Sequence, residues 1–537
     1  MSLTYAPRLA LRFLVLISIL SSTYLYFYPV FHFCAFPSSE ANVGSEYMNT
    51  LRYHLSYPVS PNDQNKIAPF RLLVLGDPQL EGDSSIGDIQ ATSFPNLKSF
   101  LTHLQQNKSI FPLKTLRLCL HDLVDFYLDD IPKSLKVWHK RLDHIGNDYF
   151  LGHIYKTLHW WTNPTHVTVL GDLIGSQWVD DEEFENRGRR FWNRVFKGGM
   201  KVAENLVSTS SNGEPQKMVL GEDGENWARR IINIVGNHDI GYAGDMSSAR
   251  LERFTKVFGK YNYELRFEAP VKKSSSQPVD TKSHVPELRI IILNNLNLDV
   301  PTGSTELQQE TYSFLNSIIA SSPEVGRSAH FTLVLTHIPL FKREGICNDG
   351  PLFRYYDGEY QNGVKEQYLL SQDASKNILE GIFGKSGKTD VPGEGFGRNG
   401  AILNGHDHEG CDVLHYINQS MSHEAQWNAT RWDSPLSHSI RRGSRLPTLR
   451  EITTRSMMGA YDGNAGLMSL WFDETTWDWK FEFTNCRFGK QHIWWVIHVL
   501  DLITSCTLVW YGIHNLTKRF PRTSLRLASN PKDNTQT

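Results

Sequence analysis

Cysteine is scarce in this sequence: six residues in 537, at Cys34, Cys119, Cys347, Cys411, Cys486 and Cys506. Their spacing matches no zinc ribbon, so a cysteine-held zinc does not organise the fold. An excess of one charge sign is also lacking. Lys and Arg number 55 against 57 Asp and Glu, a net charge of -2, and no basic footprint suggests a nucleic-acid partner. No internal repeat is visible, which sets aside solenoids and propellers. Aromatics are not lacking: at 12%, with 14 Trp, they predict a well-filled core with disorder confined to short loops.

Long uncharged runs occur only towards the two ends. Phe13 to Phe36 carries no charge and follows Arg8 and Arg12. About 20 residues suffice to cross the hydrocarbon, so this run can span a membrane. A cleaved signal peptide is the alternative, disfavoured by the length of the run and by the absence of a clear small-x-small site. Ile493 to Ile513 is a second candidate span with Trp pairs and a Tyr at its borders, and with Asp501 near its centre. A carboxylate there costs roughly 3 kcal/mol, so a buried or interfacial helix stays open. Arg8 and Arg12 before the first run, and Lys518, Arg519, Arg522 and Arg526 after the second, predict that both termini are cytosolic. Residues 37–490 would then be lumenal and 514–537 a cytosolic tail. The sequons at Asn107, Asn418 and Asn428 all fall in the lumenal part. Cys34 and Cys506 fall in the apolar ends. Cys119, Cys347, Cys411 and Cys486 either form disulfides, with pairing undetermined, or remain buried thiols.

The middle, 66–485, reads as one α/β domain. Six apolar, β-branched runs end in polar residues: RLLVLGD, HVTVLGD, IINIVGNHD, LRIIILNN, FTLVLTH and AILNGHDH. Such runs predict buried strands. The segments between them carry helical patterns, as at Phe184–Phe196 and Leu251–Phe258, so helices are expected to cover the sheets. GLMSLWFD and WKFEFTN predict a closing hairpin, a second sheet and a sandwich core. Ser208–Glu225, Val271–Glu287 and the glycine-rich Gly381–Gly400 read as inserted loops.

Five strand ends deliver Asp77, Asp172, Asn237-His238-Asp239, His337 and His406-Asp407-His408. Singly, each is a turn, a cap or a surface histidine. Together, carboxylate, carboxamide and imidazole at successive strand ends suit two adjacent divalent cations sharing one Asp. The order Asp … GD … GNHD … His … GH-x-H resembles the calcineurin-like metallophosphoesterase superfamily. That resemblance implies a four-layer αββα sandwich. It implies that Asp77 and His408 bind one metal, Asp172 bridges, and Asn237, His337 and His406 bind the second. It makes His238 the catalytic residue that stabilises the phosphoryl oxygens and protonates the leaving alkoxide, with Asp239 orienting it. The superfamily commonly has Asp-x-His in the first block. Here that histidine is replaced by Gln79, whose carbonyl suits a hard cation better than zinc, which favours Mn2+.

GDPQLEGD, GNHDIGYAGD, NGHDHEGCD and RSMMGAYDGNAGL further resemble the branch containing the fungal cell division control protein and the post-GPI-attachment remodelling enzymes. This implies a phosphodiesterase in the endoplasmic reticulum membrane, or in the Golgi, that removes an ethanolamine-phosphate side branch from a mannose of GPI-anchor glycans. GPI-anchored proteins and the membrane would be its partners. The alternatives are a membrane-bound phosphatase acting on a phosphoprotein or another phosphoester, and a non-catalytic cargo-sorting scaffold. Candidate substrate contacts are the arginines of Asn186–Phe196, against a solvated basic face, and Asp349 and Arg354 in Gly345–Gly363, against an ordinary loop.

Overall fold

The structure, a computed structural model, describes residues 5–38, 43–55, 67–106, 113–207, 216–270, 285–325, 329–356, 363–419, 427–443 and 445–519. The Asn107 sequon, residues 208–215 of the first expected loop, 271–284 of the second, and 520–537 lie outside them. The chain divides into two units, 29–491 and a pair of terminal segments, 1–28 with 492–537.

Among the described residues, unit 29–491 contains sixteen strands: β1 (Phe70–Leu75), β2 (His166–Val169), β3 (Met200–Lys201), β4 (Lys217–Val219), β5 (Arg230–Asn233), β6 (Tyr263–Glu268), β7 (Glu287–Ile292), β8 (His330–Leu335), β9 (Phe353–Tyr355), β10 (Val364–Gln367), β11 (Asn399–Asn404), β12 (Cys411–Ile417), β13 (Trp427–Arg431), β14 (Thr448–Thr453), β15 (Asn464–Asp473) and β16 (Asp478–Arg487). One sheet runs β16-β15-β1-β2-β5-β3 and a second runs β13-β12-β14-β11-β8-β7-β6-β4. Within the first, β1, β2 and β5 are parallel, with Leu72 opposite His166 and Val167 opposite Ile231. Within the second, β7, β8 and β11 are parallel. Parallel strands covered on both faces need continuous apolar runs, and β2 is buried at all four positions.

Both sheets contribute to one core, in which Phe70, Leu72, Val74 and Met468 of the first meet Leu265, Leu288, Phe331 and Leu403 of the second. Helices supply further buried side chains, Phe150, Ile154 and Leu158 from Ile131–Thr162, and Leu315 and Ile318 from Thr305–Ala320. The fold of the described residues is therefore a mixed α/β arrangement with two large sheets and the two-stranded pair β10-β9.

Three expectations change. The β15–β16 hairpin forms, but it pairs with β1 and extends the first sheet instead of founding the second. Gly381–Gly400 is built, not loose: the buried Lys385 ammonium donates to Phe396 O at 2.9 Å, and Ser386 N donates to Gly395 O at 2.8 Å. The first apolar helix ends at Tyr26, short of Phe36, because Cys34, Ala35 and Phe36 are buried in unit 29–491 and Cys34 is disulfide-bonded to Cys486. Cys347 pairs with Cys411, while Cys119 and Cys506 are free.

In the terminal unit, helices Tyr5–Tyr26 and Gln491–Arg519 are long and apolar enough to cross a membrane. The Asp501 carboxylate accepts hydrogen bonds from Ser18 and, at 2.6 Å, from Ser22, one helical turn apart. These partners offset the cost of a carboxylate in an apolar segment.

Candidate metal centre

The carboxyl ends of β1, β2 and β5 come together with those of β8 and β11. The chain turns sharply at each. Asp77, Asp172 and His406 take left-handed backbone conformations with φ of 44°, 50° and 73°, and such strain concentrates where side chains are aimed at a ligand. The glycine before each ligand block follows from crowding. A Cβ on Gly171, itself at φ +96°, would lie 2.3 Å from His337 Nδ1, and one on Gly236 would lie 2.1 Å from the Asp172 backbone nitrogen.

Two ligand clusters result: Asp172, His337 and His406, and Asp77, Asp172 and His408, with the ligand atoms of each within 4.8 Å of one another. Asp172 belongs to both. Asn237 joins the first cluster through its Oδ1, 3.0 Å from His337 Nε2. Gln79 lies in the second, its side-chain amide 3.0 Å from Asp172 Oδ2 and 3.2 Å from His408 Nε2. This oxygen-and-imidazole donor set, without thiolate, fits divalent cations.

Outer hydrogen bonds fix the tautomers. His337 Nδ1 donates to Leu170 O at 2.7 Å, leaving Nε2 facing Asp172 Oδ1 at 3.3 Å. His406 Nε2 donates to Gln367 O at 2.9 Å, leaving Nδ1 as its free donor atom. Asp77 is oriented by the His406 backbone N–H at 3.1 Å. Burial pushes the Asp77 carboxyl up to about 8, with Asp172 adding to the rise against the pull of His337. Burial also opposes the Asp172 charge, yet His337 and then His238 outweigh it and hold that carboxyl below the ordinary range. Burial disfavours the His337 charge, but Asp172 and then Asp77 outweigh it and raise the imidazole to about 9. His406 falls to about 3, mainly through burial. Cation binding would displace the protons on His337 Nε2 and Asp77, since both groups ligate only when deprotonated.

His238 sits at the rim, its side chain 38% exposed and its Nε2 3.9 Å from Asp172 Oδ2. Its backbone N–H donates to Asp172 Oδ1 at 2.9 Å. Asp239 does not orient it. The two Asp239 oxygens accept from the backbone N–H groups of Ile174 (3.0 Å) and Gly236 (2.8 Å), so this carboxylate ties the β2 and β5 loops together.

Three arginines of Asn186–Phe196, Arg187, Arg190 and Arg194, are structural as well. Buried Arg187 binds Glu183 and Leu80 O, and Arg190 binds Asp148 and Glu81 O, clamping the loop that follows Asp77. Arg354 is paired with Glu366 at 2.8 Å. Sequence reasoning missed Ser456, whose hydroxyl donates to Asp77 O at 3.0 Å and whose N–H donates to His408 O at 3.1 Å. It also missed Tyr461, whose ring is 4.8 Å from that of His408. Both lie in RSMMGAYDGNAGL, a segment noted only as a resemblance.

The fold and this two-cluster site define a calcineurin-like metallophosphoesterase, a metal-dependent phosphoesterase. No family model matches the chain. Protein TED1 of Saccharomyces cerevisiae is 33% identical to it over 422 residues, 70% of this chain and 80% of that protein. Metallophosphoesterase 1 of Danio rerio is 24% identical over 51% of this chain and 60% of its own length. Cell division control protein 1 of Saccharomyces cerevisiae is 23% identical over 52% of this chain and 44% of its own. The chain belongs to the metallophosphoesterase family that these relatives represent.

Proposed function

We propose that this protein is a lumenal, membrane-anchored phosphodiesterase of the endoplasmic reticulum that removes an ethanolamine-phosphate side branch from a mannose of GPI-anchor glycans, with Mn2+ as its metal. In this reading the domain is a four-layer αββα sandwich held by two membrane spans, and GPI-anchored proteins are its substrates. The observation that carries the chemistry is Asp172 shared between two ligand clusters beside the half-exposed His238.

Asp77 and His408, with Gln79 turned to offer its carbonyl, would hold one cation. Asn237, His337 and His406 would hold the other, and Asp172 would bridge. When bound, the cations supply Lewis-acid activation of water and neutralise phosphoryl charge. The chain's own residues do the rest. His337 and His406, locked by their carbonyl partners, keep their free nitrogens pointed inward. His238, at the open rim, delivers a proton to the leaving mannose oxygen.

Selectivity for the ethanolamine ammonium is supported on the His408 side. The Cys347–Cys411 disulfide holds Gly345–Gly350, with Asp349, beside the His408 loop, where the Tyr461 ring lies 4.8 Å from that of His408 and Glu409 is paired with Arg455 at 3.0 Å. The Tyr461 ring together with the Asp349 carboxylate suits a primary ammonium.

Purified full-length protein, stripped of metal and reloaded, tests this reading. Mn2+ restores release of ethanolamine phosphate from a mannose diester in the wild type and does not in His406→Ala. Equal turnover by His406→Ala, or no turnover of the diester by the Mn2+-loaded wild type, overturns it.

A further inference from the structure

The helix Ile131–Thr162 continues the helix Leu113–Asp125 through a π turn at Phe126–Asp130, and the junction residues Asp125 and Ile131 are both right-handed helical. The result is one continuous helical rod from Leu113 to Thr162, roughly 75 Å measured along its path at about 1.5 Å per residue. Pro132 explains the π turn, since its ring and missing N–H interrupt the ordinary ladder.

This rod has three faces. Ser134, Val137, His144 and Asp148 are buried against the domain. Lys136 and His139 are exposed on a polar face. Between these lies an apolar stripe: Leu128, Leu135, Trp138, Leu142, Ile145 and Tyr149, from 42% to 74% exposed. From Leu135 onward they recur at alternating intervals of three and four, which places them on one side of the helix. The Leu113–Asp125 segment adds exposed Leu116, Leu120 and Val124. An exposed apolar stripe on a folded domain marks a contact surface.

Its occupant is indicated by where the chain leaves the domain. Trp161 Nε1 donates to Cys34 O at 2.7 Å, the Phe488 ring lies 6.0 Å from that of His153, and Gln491 Nε2 is 3.4 Å from Asp143 Oδ1. The segments that lead into both apolar helices are therefore fastened to this same rod. We infer that the stripe Leu128–Tyr149 rests in the interfacial layer of the bilayer, as an amphipathic docking helix. The inference rests on the reading of the two terminal helices as spans.

Trp138 and Tyr149 are the residue types that settle at the headgroup level. The rod also grips the loop after Asp77: Arg141 binds Asp83 at 2.6 Å and His144 binds Glu81 at 2.9 Å. Docking would thus set the orientation of the metal-binding loop towards an ester carried on a lipid.

Nitroxide labels at single cysteines test this in full-length protein, with Cys119 and Cys506 changed to alanine, reconstituted in phosphatidylcholine vesicles. Leu142→Cys reports the stripe, His139→Cys the polar face, and Val509→Cys the second span. Accessibility to lipid-soluble oxygen relative to a water-soluble nickel chelate is expected to be several-fold higher at Leu142→Cys than at His139→Cys. A ratio at Leu142→Cys equal to that at His139→Cys, with Val509→Cys in lipid, overturns the docking helix alone. Shielding of Leu142→Cys from both reagents points to a second copy or a protein partner and also overturns it. Chelate access at Val509→Cys removes the span reading itself and the inference with it.

Discussion

Gln79 occupies the place where the superfamily pattern has a histidine, and its amide reaches both Asp172 and His408. A carboxamide oxygen binds zinc poorly beside imidazole, whereas Mn2+ accepts it. Under the proposed Mn2+ occupancy, Gln79→His should shift the preference towards Zn2+ by at least about tenfold in a metal competition assay; an unchanged ratio would show that this position does not tune the metal. His238→Ala should lower kcat by about 10²–10⁴ with metal content intact, as expected for loss of a general acid; loss of bound metal would make His238 a ligand instead. Asp239 has a different role. Asp239→Ala should cost about 3 kcal/mol in unfolding free energy, because two buried backbone donors lose their acceptor. An activity loss at unchanged stability would return Asp239 to the His238 ring. The ligands were legible because each ends an apolar run. The target of the Asp239 carboxylate was not, since it is set by how the β2 and β5 loops fold against each other, which adjacency to His238 does not reveal.

Strand elements were readable for a similar reason: parallel strands buried on both faces need unbroken β-branched runs, and β1, β2, β5, β7, β8 and β11 have them. The long helix was not, because its three-faced pattern blurs the two-faced periodicity of an ordinary surface helix. Nor was the buried cluster that joins the β8 and β14 ends. Glu451, fully buried, accepts from Lys342 (2.8 Å), His415 (2.7 Å), Asn404 (2.6 Å) and the Leu340 N–H (2.7 Å). These partners connect the segment after His337 to the strand before His406. Burial opposes the Glu451 charge, but Lys342 and then His415 outweigh it and hold the carboxyl at about 2, below its ordinary 4.5. A depressed folded value means that the stabilisation is present above pH 4.5 and is lost as pH falls towards 2. Glu451→Gln should lower stability by about 3–5 kcal/mol at neutral pH by leaving Lys342 buried without its counter-charge. It should also flatten the acid limb of the denaturation midpoint between pH 4.5 and 2. An acid limb identical to wild type would remove Glu451 as its origin.

At the scale of the whole molecule, the two apolar terminal helices fit membrane insertion, and two disulfides tie the domain, Cys34–Cys486 and Cys347–Cys411. The six cysteines alone left the pairing open. The disulfide role of Cys34 is hidden because the run Phe13–Phe36 is uncharged throughout, while the helix ends at Tyr26 and Cys34, Ala35 and Phe36 are buried in unit 29–491. In the proposed function, a two-cation phosphoesterase works where lipid-linked glycans are built and trimmed. The most direct measurement is mass spectrometry of GPI glycans from cells lacking this protein, rescued with wild type or with His406→Ala. The account predicts that an ethanolamine phosphate persists on one mannose in the deletion and in the His406→Ala rescue, and disappears with wild type. Ethanolamine-phosphate content that is the same on every mannose in all three would contradict it.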